Sequence, residues 1–199
     1  MNHNIRSVLV AGMDGIPIDI ECQLSNGLPA IIIVGLGNKA IDEAKERIRS
    51  AFASSKLILP RKRITINLAP ADVRKDSTSF DLAIAAAIIT ANNPKATAPA
   101  DDLAIIGEVG LSGSIRPVRG IIGKIIAGKR LGFTKFIIPS GNLAQAGLVP
   151  DTKLYTVENL EQLNDHLCDL AALNPAKFTT EVDKRTTPSP LLVTNNRSG

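Results

Sequence analysis

Gly123, Gly128 and Lys129 have the spacing of a phosphate-binding loop: two glycines five positions apart, then a lysine. Such a loop wraps backbone N–H groups around a phosphate and ends in a Ser or Thr hydroxyl that holds magnesium. Here Arg130 stands in place of the hydroxyl, and the glycines fall inside a helical apolar pattern. No nucleotide cradle is expected from these residues. Metal chemistry is equally poorly supplied. Cys22 and Cys168 are the only cysteines and His3 and His166 the only histidines, none at metal-ligand spacing. Neither a metal nor another cofactor is expected, and His166 reads as a partly exposed surface residue.

The remaining polar residues that could act chemically fall into three groups. Asp81 and Glu108 border apolar runs, but nothing in their spacing pairs them for acid and base work. Ser77, Thr78 and Ser79 crowd a loop before a helical pattern. There Thr78 and Asp81 fit a capping box, in which side chains satisfy the first backbone N–H groups of a helix. Arg61, Lys62 and Arg63, with Arg74 and Lys75, form basic runs that are candidate phosphate contacts, and Arg47 and Arg49 add charge on a helix. Such runs are also what a solvated face looks like.

These groups must be held by a largely aliphatic body. Of 199 residues, 44% are hydrophobic but only 3% aromatic, so the core is filled by Ile, Leu, Val and Ala. Few rings are left on which single-stranded bases could stack. The formal charge of +4 allows contact with nucleic acid without indicating it. The apolar stretch near the N-terminus is too short for a signal segment or a membrane span, so a reduced, cytoplasmic protein with no membrane contact is expected.

Strand patterns open the chain. Residues 7–11 and 16–24 are β-rich and flank a Met13-Asp14-Gly15 turn signal, which predicts a hairpin. Residues 30–34 form a continuous apolar run before Gly35, the pattern of a strand buried on both faces. From Asn38, a candidate N-cap, Ile41, Ala44, Ile48, Ala51 and Phe52 recur at helical spacing. Residues 63–68 alternate as a strand, and residues 80–91 form a helix apolar enough to be buried. Strands are expected at 103–106, 113–117, 135–139 and 153–157, and helices at 118–131 and 158–170. The fold class is α/β (α+β), a mixed β-sheet with packed helices. A domain over residues 1–170 and a disordered tail or truncated linker over 171–199 complete the reading, the latter from its Thr, Pro, Asn and Ser content.

Four segments carry a family resemblance: LSNGLPAIIIVGL from Leu24, RITINLAPAD from Arg63, FDLAIA from Phe80, and GEVGLSGSIRPVRG from Gly107. In order and spacing they resemble the N-terminal domain of magnesium-chelatase-like (ComM/YifB) proteins. The resemblance implies the fold of the Lon protease proteolytic domain, shared with the C-terminal domain of RadA-type proteins. It also implies a following AAA+ ATPase and a hexameric role in DNA branch migration. No Walker A loop follows residue 170, so no ATPase is expected in this chain.

The likeness to Lon bears on two residues. Lon-type peptidases carry a nucleophilic serine in P-K-D-G-P-S-A-G, and Lys75-Asp76-Ser77-Thr78-Ser79 aligns with it, which puts Ser79 at the nucleophile. A later G-G-L-K-E-K stretch ends in the lysine base, and Gly120-Ile-Ile-Gly-Lys124 puts Lys124 there. A serine hydroxyl needs a neutral base within hydrogen-bond reach, and lysine serves only when desolvation lowers its pKa. Against this reading, Ser79 could be a helix cap and Lys124 could extend its ammonium to solvent. Phe80 also replaces a small residue beside the serine and could block substrate approach. Two functional expectations follow. One is a stand-alone assembly or binding module for DNA processing, as a homo-oligomer or with a separate AAA+ ATPase partner. The other is an ATP-independent Lon-like Ser-Lys peptidase.

Overall fold

The computed structural model describes residues 4–12, 14–35, 38–73, 75, 78–94, 96 and 99–176, with backbone alone at 38–40. β1 (Ile5–Ala11) and β2 (Asp14–Ser25) form the expected antiparallel hairpin, Ile5 opposite Ile20 and Ala11 opposite Asp14. Met13 of the expected turn lies outside the described residues. β3 (Ala30–Val34), α1 (Asn38–Ser54) and β4 (Arg63–Ala69) make a crossover that lays β3 parallel to β4. The sheet order is β1-β2-β4-β3. β3 is therefore an edge strand. The expectation that it is buried on both faces is corrected: only Ile31 and Ile33 are buried, and Val34 is 48% exposed. Its unbroken apolar run reflects β propensity without two-sided cover.

Thr78–Phe80 form a single 3-10 turn that runs into α2 (Asp81–Asn92). Every residue of α2 from Asp81 to Thr90 is buried, because the helix lies between the four-stranded sheet and the helix at Leu160–Leu167. Its alanines suit that position, giving strong helix propensity with little bulk. Asn93, extended ahead of Pro94, ends it.

The second half is a smaller parallel unit. β5 (Leu103–Ile105) is followed by a short antiparallel pair, β6 (Glu108–Val109) with β7 (Ile115–Arg116). Then come α3 (Ile121–Arg130), β8 (Lys135–Pro139), α4 (Leu143–Ala146), β9 (Lys153–Val157) and α5 (Leu160–Leu167). β5, β8 and β9 form a parallel three-stranded sheet in that order. Asn159 caps α5 by accepting from the Gln162 N–H at 2.9 Å. Residues 118–120 and 158–159, expected in helices, serve as lead-in and cap instead. Past α5 the chain returns to the sheet, where Pro175 bridges Tyr155 and the Ala176 N–H donates to Leu154 O. The rest of the segment expected as a tail, residues 177–199, lies outside the described residues.

Two apolar cores result. The first packs the four-stranded sheet against α1, α2 and α5, and the second gathers α3, α4 and the parallel strands. β1 joins them, since Ile5 belongs to the first core and Val8 to the second. The aliphatic composition is thereby accounted for, and the junction between the halves is where the polar residues of interest meet.

Candidate active site

Ser79 lies in the 3-10 turn before α2, and Lys124 closes the first turn of α3, where its N–H donates to Gly120 O. Gly120 adopts φ +68°, a left-handed conformation that costs glycine little, immediately before α3 begins. The Lys124 Nζ donates to Ser79 Oγ at 3.2 Å. The two residues, 45 positions apart, are 2% and 9% exposed. Burial pushes the Lys124 ammonium below its ordinary pKa, and no carboxylate among the described residues pairs with it to oppose that shift. A lysine desolvated in this way sheds its proton more readily and becomes a base.

The reading of Lys124 as a surface lysine reaching solvent is thus corrected, and so is the capping box. The residue preceding α2 is Phe80, with no side-chain cap, and Thr78 Oγ1 donates instead to Glu108 Oε2 at 2.5 Å. The Phe80 ring is fully buried in the first core. Backbone bonds hold the serine turn as well: the Gly107 N–H donates to Ser79 O at 3.0 Å, and the Leu82 N–H to Gly107 O at 3.1 Å. A side chain at Gly107 would collide with Leu82, so this strand-to-turn contact needs glycine.

A charged cluster sits beside the turn. Asp81 is 2% exposed and receives Arg47 Nε at 2.6 Å and Nη2 at 3.2 Å. Its carboxyl is pushed up to about 6 by burial, which outweighs Arg47, with the Glu108 charge adding and the Val109 N–H subtracting. Glu108 also approaches Arg116 at 3.8 Å. Each carboxylate has its own partner, Arg47 for Asp81 and Thr78 for Glu108. Arg47 was legible only as part of a charged face, although it sits one turn from both Ala44 and Ala51 on the buried stripe of α1.

The basic strip divides. Arg61, Lys62 and Arg63 are exposed, while Arg74 lies outside the described residues. Lys75 is a correction: it is fully buried, its Nζ donating to Pro70 O and, at 3.0 Å, to Val73 O. It ties down the loop before Ser79. Gly123, Gly128 and Lys129 lie within α3, as their context predicted, and not in a loop between a strand and a helix. His166 is half-buried, stacked on Tyr155, and accepts the Leu173 N–H on Nδ1. With Leu103, Lys135, Leu167 and Leu173, these rings line a cavity of about 370 Å³ away from Ser79 and Lys124. Among the described residues no cluster of metal ligands exists, and no helix is long and apolar enough to cross a membrane.

Residues 20–142, which include both Ser79 and Lys124, match the family described as Subunit ChlI of Mg-chelatase. The chain belongs to this Mg-chelatase ChlI family. Within it, the chain is similar to YifB of Salmonella typhimurium, 36% identical over 150 residues, 75% of this chain and 29% of that protein. It is similar to the competence protein ComM of Haemophilus influenzae, 38% identical over 143 residues, 72% of this chain and 28% of that protein. A more distant likeness is to Lon protease 2 of Herpetosiphon aurantiacus, 28% identical over 167 residues, 79% of this chain and 20% of that protein. This ChlI-family chain spans about a third or less of the length of the curated relatives it matches.

Proposed function

We propose that this ChlI-family domain carries a Lon-like Ser-Lys peptidase site. The observation that supports it is the 3.2 Å contact between Lys124 Nζ and Ser79 Oγ, with the lysine desolvated and unopposed by a described carboxylate. Neutral Lys124 takes the Ser79 hydroxyl proton as Oγ attacks a peptide carbonyl carbon. The resulting ammonium then gives that proton to the departing amine, leaving an ester on Ser79. Lys124, neutral again, removes a proton from the water that hydrolyses the ester.

The chemistry needs the turn at Ser79 to hold still, and Glu108, Asp81 and Arg47 fix the residues on either side of it. Hydrolysis of casein or a fluorogenic peptide by the wild type, Ser79→Ala and Lys124→Ala tests the reading. Loss in both variants supports it; equal rates in all three discard it.

The small exposure of Ser79 favours a second reading, since a peptide must reach a side chain that is 2% exposed. In it the domain is an assembly or binding module, forming a homo-oligomer or docking a separate AAA+ ATPase in DNA processing. The name of ComM as a competence protein is consistent with such a setting. Gel filtration and a salt-titrated DNA-binding series test this reading; a monomer without DNA affinity at low salt contradicts it.

A further inference from the structure

We propose that the loops at the start of β3 and β4 form a docking site for an acidic protein segment anchored by one aliphatic side chain. Lys56, Arg61, Lys62 and Arg63 fall within eight consecutive residues, all four are exposed, and none is ion-paired among the described residues. No acidic residue occurs between Ser55 and Ile64, or between Asn26 and Ile31 in the facing loop. The chain carries 23 basic and 19 acidic residues, so without these four cations it is formally neutral. Its whole positive excess therefore equals what is concentrated at this one place.

The cations surround apolar surface. Leu28 is 88% exposed and Ile58 79% exposed. Beside them a cavity of about 80 Å³ is lined by Pro29, Ile31, Leu59, Pro60 and Ile64, with Lys62 and Arg49 at its rim. Arg49 is held by Glu46 at 2.8 Å, which leaves the other cations to meet a partner. A Cβ-branched or leucine-sized side chain matches the cavity, and carboxylates on either side of it match Lys56, Arg61, Lys62 and Arg63. An apolar anchor within a charged rim is the usual anatomy of a protein contact.

Nucleic acid fits less well. Neither loop contains an aromatic residue for stacking, and a phosphate backbone would have to cover Leu28 and Ile58. An anionic membrane fits less well too, because a concave apolar cavity receives a side chain better than it enters a bilayer. Neither Ser79 nor Lys124 lines this cavity, and none of the four cations belongs to the charged cluster beside them. The proposal thus stands independently of the Ser-Lys reading.

Fluorescence anisotropy tests it with a labelled decapeptide of Glu residues around one central Leu, and the same peptide with Ala at that position. The Leu peptide is expected to bind about tenfold more tightly than the Ala peptide. The double variant Lys62→Glu, Arg63→Glu is expected to weaken the Leu peptide at least tenfold. Ile58→Asn, at an exposed position where folding is safe, is expected to weaken it with the charges intact. Twenty-residue oligothymidylate and phosphatidylserine vesicles are measured alongside. Absence of peptide binding, equal binding of both peptides, indifference to the charge reversal, or tighter binding of the oligonucleotide or the vesicles would each overturn the proposal.

Discussion

Arg47 grips Asp81 with two nitrogens, Nε on Oδ2 at 2.6 Å and Nη2 on Oδ1 at 3.2 Å, and so fastens α1 to the N-terminus of α2 two residues past Ser79. Asp81 is nearly sealed from water and Arg47 is 17% exposed, so the pair lies outside the surface regime in which ion pairs count for little. Arg47→Met leaves a buried carboxylate without its cation and is expected to cost about 3 kcal/mol in urea unfolding at pH 7. Arg47→Met combined with Asp81→Leu is expected to recover most of that loss. A double variant no more stable than the single one would show that the pair does not act as a unit.

The same carboxyl predicts a pH dependence. Its folded pKa, about 6, lies above the ordinary value of 3.8. The folded protein therefore keeps this proton where the unfolded chain has lost it. The stability it contributes is full below the unfolded value and is lost as pH rises through about 6. The advantage of the wild type over Asp81→Asn is expected to shrink by on the order of 2–3 kcal/mol between pH 4 and pH 7. A difference that is flat or grows with pH would contradict the cause assigned to the shift.

Gly128 gives a third test. A Cβ there would lie 2.7 Å from the Phe136 ring and 3.2 Å from Val8 Cγ2, both core side chains. Gly128→Ala is expected to destabilise the protein by about 1–3 kcal/mol through overpacking. Nucleotide affinity, measured by calorimetry with ATP and magnesium, is expected to be nil in both forms of the domain. ATP binding lost on substitution would restore the phosphate-loop reading of these glycines.

The strongly periodic elements were legible because their burial follows local pattern. The hairpin of β1 and β2 and the apolar stripe of α1 belong to this class, while α2, buried from Asp81 to Thr90, was legible from its unbroken apolar run. β3 misled because an aliphatic run reads the same in a central strand and at an edge, and only pairing order separates them. β6 was missed because two residues are too short to show a period. At the site, Ser79 and Lys124 were reached through likeness to Lon, since neither has a local signature. Arg47 with Asp81, and Thr78 with Glu108, join residues 34 and 30 positions apart, a separation about which spacing along the chain says nothing. Lys75 looked like surface charge because nothing in a basic pair reveals that one ammonium folds back onto carbonyls two and five residues earlier.

Lys124 links stability to chemistry. Its folded pKa is lowered by burial, so the folded state gives up this proton more easily than the unfolded chain, and its contribution to stability rises with pH. At neutral pH the buried amine is a cost borne by the fold. Lys124→Met is expected to keep or raise stability, by about 1 kcal/mol, while removing the base. Thermal unfolding checks this, and a substantial loss of stability would mean that the ammonium is held by favourable interactions, contrary to the account.

The reactivity of Ser79 itself is the most direct measure of whether Lys124 activates it. A small serine-directed acylating or phosphonylating reagent, followed by intact mass and peptide mapping between pH 6 and pH 10, reads it without requiring a known substrate. The account predicts one adduct on Ser79, formed faster as pH rises until Lys124 is deprotonated, and at least about a hundredfold more slowly in Lys124→Met. No adduct on Ser79, or equal rates in the two proteins, would contradict it.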